Sequence, residues 1–330
     1  MAQNSHPAPA AHADRVREAA ESRSGAAASA LVASWRRSLK RYGLEPDTRR
    51  APDLMTQQSL KDARLPMEQL LRVASPSLDR LFGSVGEAGC CVLMTNADGV
   101  IVERRGMAGD DAAFRSWGLW EGADWSEARE GTNGIGTCLA EKRPVTIHQD
   151  QHFHSRNTAM SCIDAPIYDH QGMLAAALDV SSCRADLTGA FSQLIAATVS
   201  DTARRIESDN FRAHFEGARI VMGERHGRAG AVLLAIDSDD VVIGATRAAR
   251  IEFGLGDAPS LEPRPAADVL SGTPAQSDLA AAERAELRRA ILRANGNIGA
   301  GSRGVAISKA EAEVLFDLND ATIEAENAPG

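Results

Sequence analysis

A group of aromatic and polar side chains in the middle of the chain could bind a small organic molecule. Three of the four tryptophans stand close together and would supply apolar walls. Carboxylate, hydroxyl and amide side chains follow them closely, and ligand sites combine apolar lining with a few polar groups in this way. The alternative is that the tryptophans belong to the core and the polar residues cap turns. The candidate residues are Trp117, Trp120, Trp125, Glu127, Thr132, Asn133 and Thr137.

Histidines and cysteines near this group offer further kinds of chemistry. His148 and His152 could add to the ligand site or, if helical, bind a metal. Pro144 and the strand pattern after it favour a strand followed by a loop, so we predict no metal and no other cofactor. Cys138 or Cys162 could be a redox sensor or a nucleophile, although no neighbouring cation marks either as reactive. No carboxylate pair indicates acid–base catalysis, so we do not expect an enzyme.

Glycines alternate with the polar residues, and their spacing argues against two kinds of nucleotide site. Gly131, Gly134 and Gly136 are not followed by the Gly-Lys-Ser/Thr of a phosphate loop. They also lack the G-x-G-x-x-G order of a dinucleotide site. A short apolar helix is predicted from about Ile135, with Asn133 as its N-cap.

The composition is that of an ordinary water-soluble protein. Its 330 residues allow two or three modest domains. A net charge of −9 argues against a general nucleic-acid coat or a basic membrane binder, although a small DNA-reading surface stays possible. Five cysteines without regular spacing do not indicate a secreted disulfide framework. No apolar run reaches the length of a membrane span, so we expect a cytoplasmic protein without membrane contact.

The N-terminal third is predicted to be a tail followed by helices. Residues 1–28 are rich in Ala, Ser, His, Pro and Gly and should be disordered. A helix should begin near Ser29, because Leu31, Trp35 and Leu39 form an apolar stripe. Its basic side, which includes Arg37, could dock DNA or a partner, but we favour a solvated face. A second helix is predicted over residues 66–82, interrupted at Pro76.

Strand and helix patterns in the middle of the chain predict an α+β fold, with an antiparallel sheet flanked by helices. Two hairpins are expected, one around the turn at 96–99 and one around the turn at 170–172. A long helix over 187–215 should follow, with Leu194, Ile195, Val199, Ala203 and Ile206 facing inward. The predicted strands are 90–94, 100–102, 145–147, 165–168 and 174–180.

The C-terminal part should hold three smaller units. Strand patterns within 209–256 suggest a second, incomplete sheet. Prolines, glycines and serines indicate a linker at 257–278. Three short helical pieces are expected within 279–320.

Several motifs resemble those of the acetoin catabolism regulator family, which are bacterial sigma-54-dependent transcription activators. The resemblance implies a GAF-type sensor at 76–208, an N-terminal helical region at 29–75, a PAS-like segment at 209–256 and a Fis-type helix-turn-helix at 279–320. By the same analogy the sensor would bind a small ketone, alcohol or aromatic compound. The motifs are Ser34-Trp35-Arg36-Arg37-Ser38-Leu39, Trp117-Gly118-Leu119, Gly131-Thr132-Asn133-Gly134-Ile135-Gly136-Thr137, Ile147-His148-x-Asp150-Gln151-His152-Phe153, Ala165-Pro166-Ile167-x-Asp169 and Leu178-Asp179-Val180-Ser181.

The chain departs from this family at two places. Only the linker separates the PAS-like segment from the helix-turn-helix, and the printed sequence holds no phosphate-loop motif, so no ATPase activity is expected. The predicted recognition helix, 308–318, carries one lysine against three acidic residues, which disfavours contact with phosphate. Val314 and Leu315 give it apolar surface instead. If DNA is bound, the candidate residues are Asn297, Arg303, Ser308 and Lys309.

These patterns lead to one main hypothesis and two alternatives. The main hypothesis is a homodimeric transcription regulator that senses a small organic effector and acts through its C-terminal helices on DNA. The first alternative is a protein without DNA binding that modulates a transcription activator or the RNA polymerase holoenzyme. The second is a cysteine-based redox sensor on the same scaffold.

Overall fold

The computed structural model describes residues 9–50, 52–182, 189–223 and 230–270. Those up to Ala266 belong to one compact unit. The helices are α1 Pro9–Glu21, α2 Arg23–Ala28, α3 Ala30–Arg36, α4 Gln57–Arg64, α5 Glu68–Val85, α6 Asp111–Ser116, α7 Glu127–Glu130, α8 Gly134–Glu141, α9 Gly189–His214, α10 Arg247–Glu252 and α11 Ala266–Leu270. The strands are β1 Cys90–Thr95, β2 Ile101–Arg105, β3 Val145–His148, β4 Ser161–Tyr168, β5 Leu174–Ser182, β6 Arg219–Met222, β7 Leu233–Ile236, β8 Val241–Ala245 and β9 Arg264–Pro265.

Five of the described strands form an antiparallel sheet in the order β2-β1-β5-β4-β3. Successive residues of a strand point to opposite faces, so the sheet carries two separate cores. Cys90 and Val92 face the core that α5 and α9 cover. Cys91 and Leu93 face the second core, which includes Trp125 and residues of α8. An antiparallel sheet flanked by helices was the predicted fold class, and it is confirmed.

Helices α5 and α9 cover the first face, and each corrects one prediction. Helix α5 runs without interruption through Pro76, which is exposed, so the carbonyl that loses its helical hydrogen bond can be solvated. Leu194 of α9 is 62 % exposed, although it was expected to face inward. Leu194 adjoins Ile195, and the side chains of neighbouring helical residues point about 100° apart. Because Ile195 faces the sheet, Leu194 points away from it.

The N-terminal segment contains helices where disorder was predicted. Ala13, Val16 and Ala20 of α1 are fully buried, and Val16 and Ala20 belong to a small core with Trp35 and Phe153. The polar composition did not reveal this apolar stripe, because its members are small and separated by charged residues. A helix begins next to Ser29 as predicted, and Ser29 caps it, its side chain accepting from the Val32 N–H. A π-helical turn, Arg37–Arg41, continues α3.

A second antiparallel sheet, β6-β7-β8-β9, follows α9. Its strands β7 and β8 lie where the PAS-like segment was predicted, while the expected boundary at residue 209 falls inside α9. The predicted linker is partly ordered: Arg264 and Pro265 pair with β8, and α11 follows. None of the helices in the described residues has the length and apolar character needed to cross a membrane. The predicted helix-turn-helix at 279–320, with Asn297, Arg303, Ser308 and Lys309, lies outside the described residues.

Candidate functional site

Asn133 organises the glycine-rich turn that precedes α8. Its Oδ1 accepts from the Gly136 N–H at 2.8 Å, which is the N-cap predicted from the sequence. Its Nδ2 donates to the carbonyls of Trp125 and Gly131 at 3.0 and 2.9 Å. The side chain is fully buried and uses both ends of its amide within the turn. In this structure, Asn133 holds the turn in place.

Glu127 lies at the centre of a buried polar cluster that joins α3 to α7 and α8. The guanidinium of Arg37 donates to both carboxylate oxygens of Glu127 at 2.8 Å and to Glu141 at 3.2 Å. Ser34 Oγ donates to Glu127 Oε1 and lies 2.7 Å from Thr132 Oγ1. Thr137 Oγ1 reaches the same Glu127 oxygen at 3.4 Å. The structure therefore brings Glu127, Thr132 and Thr137 together, as a binding site would require.

Arg37 corrects the expectation of a solvated basic face. The hydrogen bonds that it donates to Glu127 raise the pKa of the guanidinium above its ordinary value, and the Glu127 side chain is only 2 % exposed. A buried carboxylate needs a partner of opposite charge, because an unpaired charge in the interior is strongly disfavoured. Lys40 and Arg41, on the same basic side, are exposed as predicted.

Two of the three tryptophans, Trp117 and Trp125, pack in the same core, and the third lies against arginine side chains. Trp125 is buried in the core, and its Nε1–H donates to the Gly118 carbonyl at 2.8 Å. Trp117 meets Phe114 edge-on, with ring centroids 6.4 Å apart. The Trp120 ring is covered by two guanidinium groups, those of Arg104 at 4.2 Å and Arg115 at 3.5 Å. Within the described part of the chain, no ring contact joins them into one wall.

The two candidate histidines hold the loop after β3. His148 Nδ1 is 2.7 Å from Ser161 Oγ. His152 is fully buried, its Nδ1 lies 2.9 Å from the Gln149 carbonyl oxygen, and its Nε2 lies 3.4 Å from Cys162 Sγ. Burial lowers the pKa of His152 to about 4, so the imidazole is neutral at physiological pH. In residues 9–50, 52–182, 189–223 and 230–270, no group of three or more His, Cys, Asp or Glu side chains could hold a metal ion.

Two aspartates face each other on the inner face of the sheet, which is the face that packs against α8. Asp164 of β4 pairs in register with Asp179 of β5, and the two residues are 1 % and 0 % exposed. Asp179 Oδ2 accepts from the Ser181 hydroxyl at 2.7 Å, and Ser181 Oγ lies 3.2 Å from Cys162 Sγ. Outside the pair, neither oxygen of Asp164 nor Oδ1 of Asp179 has a hydrogen-bond partner. Within the pair, the two carboxyls hydrogen-bond to each other when one of them is protonated. Buried polar atoms of this kind are rare in folded proteins and call for an explanation.

Burial keeps this pair protonated at higher pH than is usual for a carboxyl group. It raises the pKa of Asp179 to about 7. It also raises the pKa of Asp164 well above its ordinary value, and the nearby charge of Asp179 adds to the effect. Two carboxyls this close cannot both ionise easily. At neutral pH the pair therefore holds at least one proton and can both donate and accept hydrogen bonds.

Helix α8 lies directly over Asp164 because its first residue is glycine. A Cβ atom at Gly134 would lie 1.9 Å from Asp164 Oδ2 and 2.5 Å from the Cβ atom of Cys162. One turn later, Cys138 packs in the same inner core. Thr137, in the turn after Gly134, contacts Glu127. Helix α8 therefore contacts both the aspartate pair and the Glu127 cluster.

The model of the GAF domain family matches residues 68–208. This segment is a GAF domain. The match begins at the first residue of α5, ahead of the predicted boundary at 76. The chain is also related to the acetoin regulators that its motifs resemble. It is 35 % identical over 232 residues to the acetoin catabolism regulatory protein of Cupriavidus necator, which covers 68 % of this chain and 35 % of that protein.

Other relatives agree with this assignment. The chain is 29 % identical over 151 residues to AcoR, the acetoin dehydrogenase operon transcriptional activator of Bacillus subtilis, covering 46 % of this chain and 25 % of AcoR. It therefore spans about a third or less of the length of these two relatives. The crystal structure of the Escherichia coli DhaR(N)–DhaL complex shares the fold, with a TM-score of 0.50 and 14 % identity over 70 % of this chain and 78 % of that one.

Three described cysteines of the GAF domain, Cys91, Cys138 and Cys162, do not have the environment of reactive thiols. Burial raises the pKa of Cys91, Cys138 and Cys162 well above the ordinary value, and the aspartate pair adds to this effect. Reactive thiols need the opposite, a cationic and accessible environment that favours the thiolate. The structure therefore gives the redox-sensor alternative no support.

Asp164 and Asp179 of the GAF domain were missed as site residues in the sequence. A signal was present, because each aspartate stands among apolar residues of a strand, in Cys162-Ile163-Asp164-Ala165 and Leu178-Asp179-Val180. An aspartate at an inward position of a buried strand is unusual. However, only the register of β4 and β5 shows that the two carboxyls meet.

Proposed function

We propose that this chain is a transcription regulator whose GAF domain binds a small, neutral organic effector at Asp164 and Asp179. Its relatives are named as transcription regulators and activators, which supports the regulatory role. The observation that supports the site is a buried carboxyl pair in which three of the four oxygens have no hydrogen-bond partner outside the pair. One shared proton satisfies only part of this hydrogen-bonding capacity, and a ligand could satisfy the rest.

The chemistry of the pair favours a ligand with hydroxyl and carbonyl groups. A protonated carboxyl donates one hydrogen bond, and its other oxygen accepts. A neutral hydroxyketone can match both without bringing a charge into the core. The close approach of Gly134 to Asp164 leaves no room even for a Cβ atom, so a ligand can reach Asp164 from this side only if α8 moves. Acetoin has this chemistry, and the names of two relatives refer to acetoin catabolism and to an acetoin dehydrogenase operon.

Helix α8 would transmit effector binding to the N-terminal helices. A ligand beside Asp164 pushes on the first turn of α8. Thr137 and Glu141, further along the same helix, contact Glu127 and Arg37. Movement of α8 would therefore change how firmly α3 is held. Such a ligand shifts an equilibrium between two arrangements by its difference in affinity for them.

Output through DNA is part of the same proposal. The candidate contacts remain Asn297, Arg303, Ser308 and Lys309, in a homodimer without ATPase activity. A second candidate function, contact with a protein partner in place of DNA, draws on the shared fold with DhaR(N), which was crystallised in a complex with DhaL.

The effector site is tested by isothermal titration calorimetry with acetoin, propan-2-ol and phenol as probes. We expect acetoin to bind the wild type and Asp164→Ala to weaken it about tenfold or more, since two hydrogen bonds contribute about 1–3 kcal/mol together. Asp98→Ala is the matched control, because Asp98 is exposed in the β1–β2 turn. Equal acetoin affinity in the wild type and Asp164→Ala would contradict the site, as would binding of none of the three probes.

A further inference from the structure

A cavity beside α7 has the features of a built binding site. Its volume is about 430 Å³, within the range of small-molecule sites. One wall comes from residues 42–55, apart from residue 51, and includes Tyr42, Leu44, Leu54 and Met55. The other comes from residues near the ends of α7 and of the loop after β3, including Glu130, His154 and Arg156.

A buried ion pair lies in the wall of this cleft that contains Glu130, His154 and Arg156. Arg156 Nη2 donates to Glu130 Oε2, and the two side chains are 16 % and 7 % exposed. His154, beside them, is 2 % exposed. Arg156 Nε and His154 Nδ1 have no hydrogen-bond partner. These nitrogens are buried polar groups that a ligand oxygen could satisfy.

The wall formed by residues 42–55, apart from residue 51, carries exposed apolar side chains. Leu54 and Met55 are 61 % and 40 % exposed, which is high for large aliphatic side chains. Leu44 and the Tyr42 ring continue this surface. The cleft therefore has a polar wall that includes Arg156 and an apolar surface on the facing wall, which could contact a short hydrocarbon chain.

We propose that this cleft binds a small organic acid, with its carboxylate on Arg156 Nε and His154 Nδ1 and its short apolar chain along Leu44, Leu54 and Met55. Guanidinium groups suit carboxylates because their N–H donors lie in one plane. His154 donates in the tautomer that carries its proton on Nδ1. The proposal does not depend on the effector site at Asp164 and Asp179.

The charges around the cleft can accommodate a second carboxylate. Burial raises the pKa of Glu130 to about 7, although Arg156 opposes the rise. Asp124 and Asp53 raise it further. Glu130 can therefore take up a proton when a ligand carboxylate arrives beside Arg156, which keeps the buried charges balanced. At the mouth, Arg129 and Arg50 are paired with Asp124 and Asp53.

The test is calorimetric titration of the full chain with butyrate, and with butan-1-ol as a probe of equal chain length that lacks the carboxylate. We expect butyrate to bind and butan-1-ol to bind at least about tenfold more weakly. Leu54→Trp should fill the cleft and weaken butyrate about tenfold or more. Leu65→Trp is the matched control, because Leu65 is 67 % exposed and does not line the cleft.

Three outcomes would overturn the proposal: no butyrate binding by the wild type, equal binding of butan-1-ol, or unchanged butyrate affinity in Leu54→Trp. Asp164→Ala separates the two sites. It should lose acetoin affinity and keep butyrate affinity, whereas Leu54→Trp should do the reverse. Loss of butyrate binding in Asp164→Ala, with Leu54→Trp unaffected, would place butyrate at the aspartate pair and contradict the second site.

Discussion

Replacing Glu127 with alanine is expected to lower the free energy of unfolding by about 3 kcal/mol. The substitution leaves Arg37 without its main partner and removes the acceptor of the Ser34 hydroxyl, both at the junction of α3 with α7 and α8. Breaking a buried ion pair from one side costs about 3–5 kcal/mol, and the lower end applies because Arg37 is 29 % exposed. Urea denaturation followed by circular dichroism measures the loss.

Two further variants show whether the loss comes from the buried cluster. Glu127→Gln keeps hydrogen-bonding atoms in place and should cost less than Glu127→Ala. Asp201→Ala breaks an exposed pair with Arg204, in which Asp201 is 74 % exposed, and should change stability by no more than about 0.5 kcal/mol. A loss below about 1 kcal/mol for Glu127→Ala would mean that α3 is not held through this residue.

The second large effect is the dependence of stability on pH. The folded-state pKa of Asp179, about 7, lies above the value of 3.8 expected when unfolded, so between these values the folded state binds more protons. The contribution of this group to the free energy of unfolding is therefore greatest below its pKa in the unfolded state. That contribution is lost as the pH rises through its pKa in the folded state. Because the two carboxyls titrate as a coupled pair, this folded-state value belongs to the loss of one proton from the pair. From about pH 6 to about pH 8, that loss should reduce the free energy of unfolding by about 1.4 kcal/mol. The raised pKa of the other carboxyl acts in the same direction.

Asp179→Asn isolates this contribution. Burial lowers the pKa of His152 and His154 to about 4, and these groups make stability rise with pH until about 6.5, their unfolded pKa. Above that pH they are neutral in both states, so the acidic groups dominate. Chemical denaturation at about pH 6 and about pH 8 should show a smaller loss in Asp179→Asn than in the wild type, by about 1.4 kcal/mol. Asp98→Asn should match the wild type, and an equal loss in Asp179→Asn would contradict the assigned pKa.

The sequence predicted those parts of the fold that depend on local patterns. The Asn133 cap, both hairpins of the GAF domain and the long helix α9 followed from short-range chemistry and from apolar periodicity. Errors arose where tertiary contacts outweighed local preference. The helix α1 forms because its small apolar residues reach the core around Trp35 and Phe153, and α5 passes Pro76 because its inner face is firmly packed.

The site was predictable only in part, since it depends on pairing between distant segments. Glu127, Thr132 and Thr137 were expected and do meet, but the sequence could not show that Arg37 and Ser34 from another helix complete their cluster. Asp164 and Asp179 each look like a single polar residue in a strand. Their mutual effect on pKa exists only once β4 and β5 are in register.

The most direct test of the central claim is a crystal structure of the chain with acetoin bound. The account predicts acetoin between the inner face of the sheet and α8, with its oxygens within hydrogen-bond distance of Asp164 and Asp179, and with the first turn of α8 displaced. Acetoin bound elsewhere, without a hydrogen bond to Asp164 or Asp179, would contradict it.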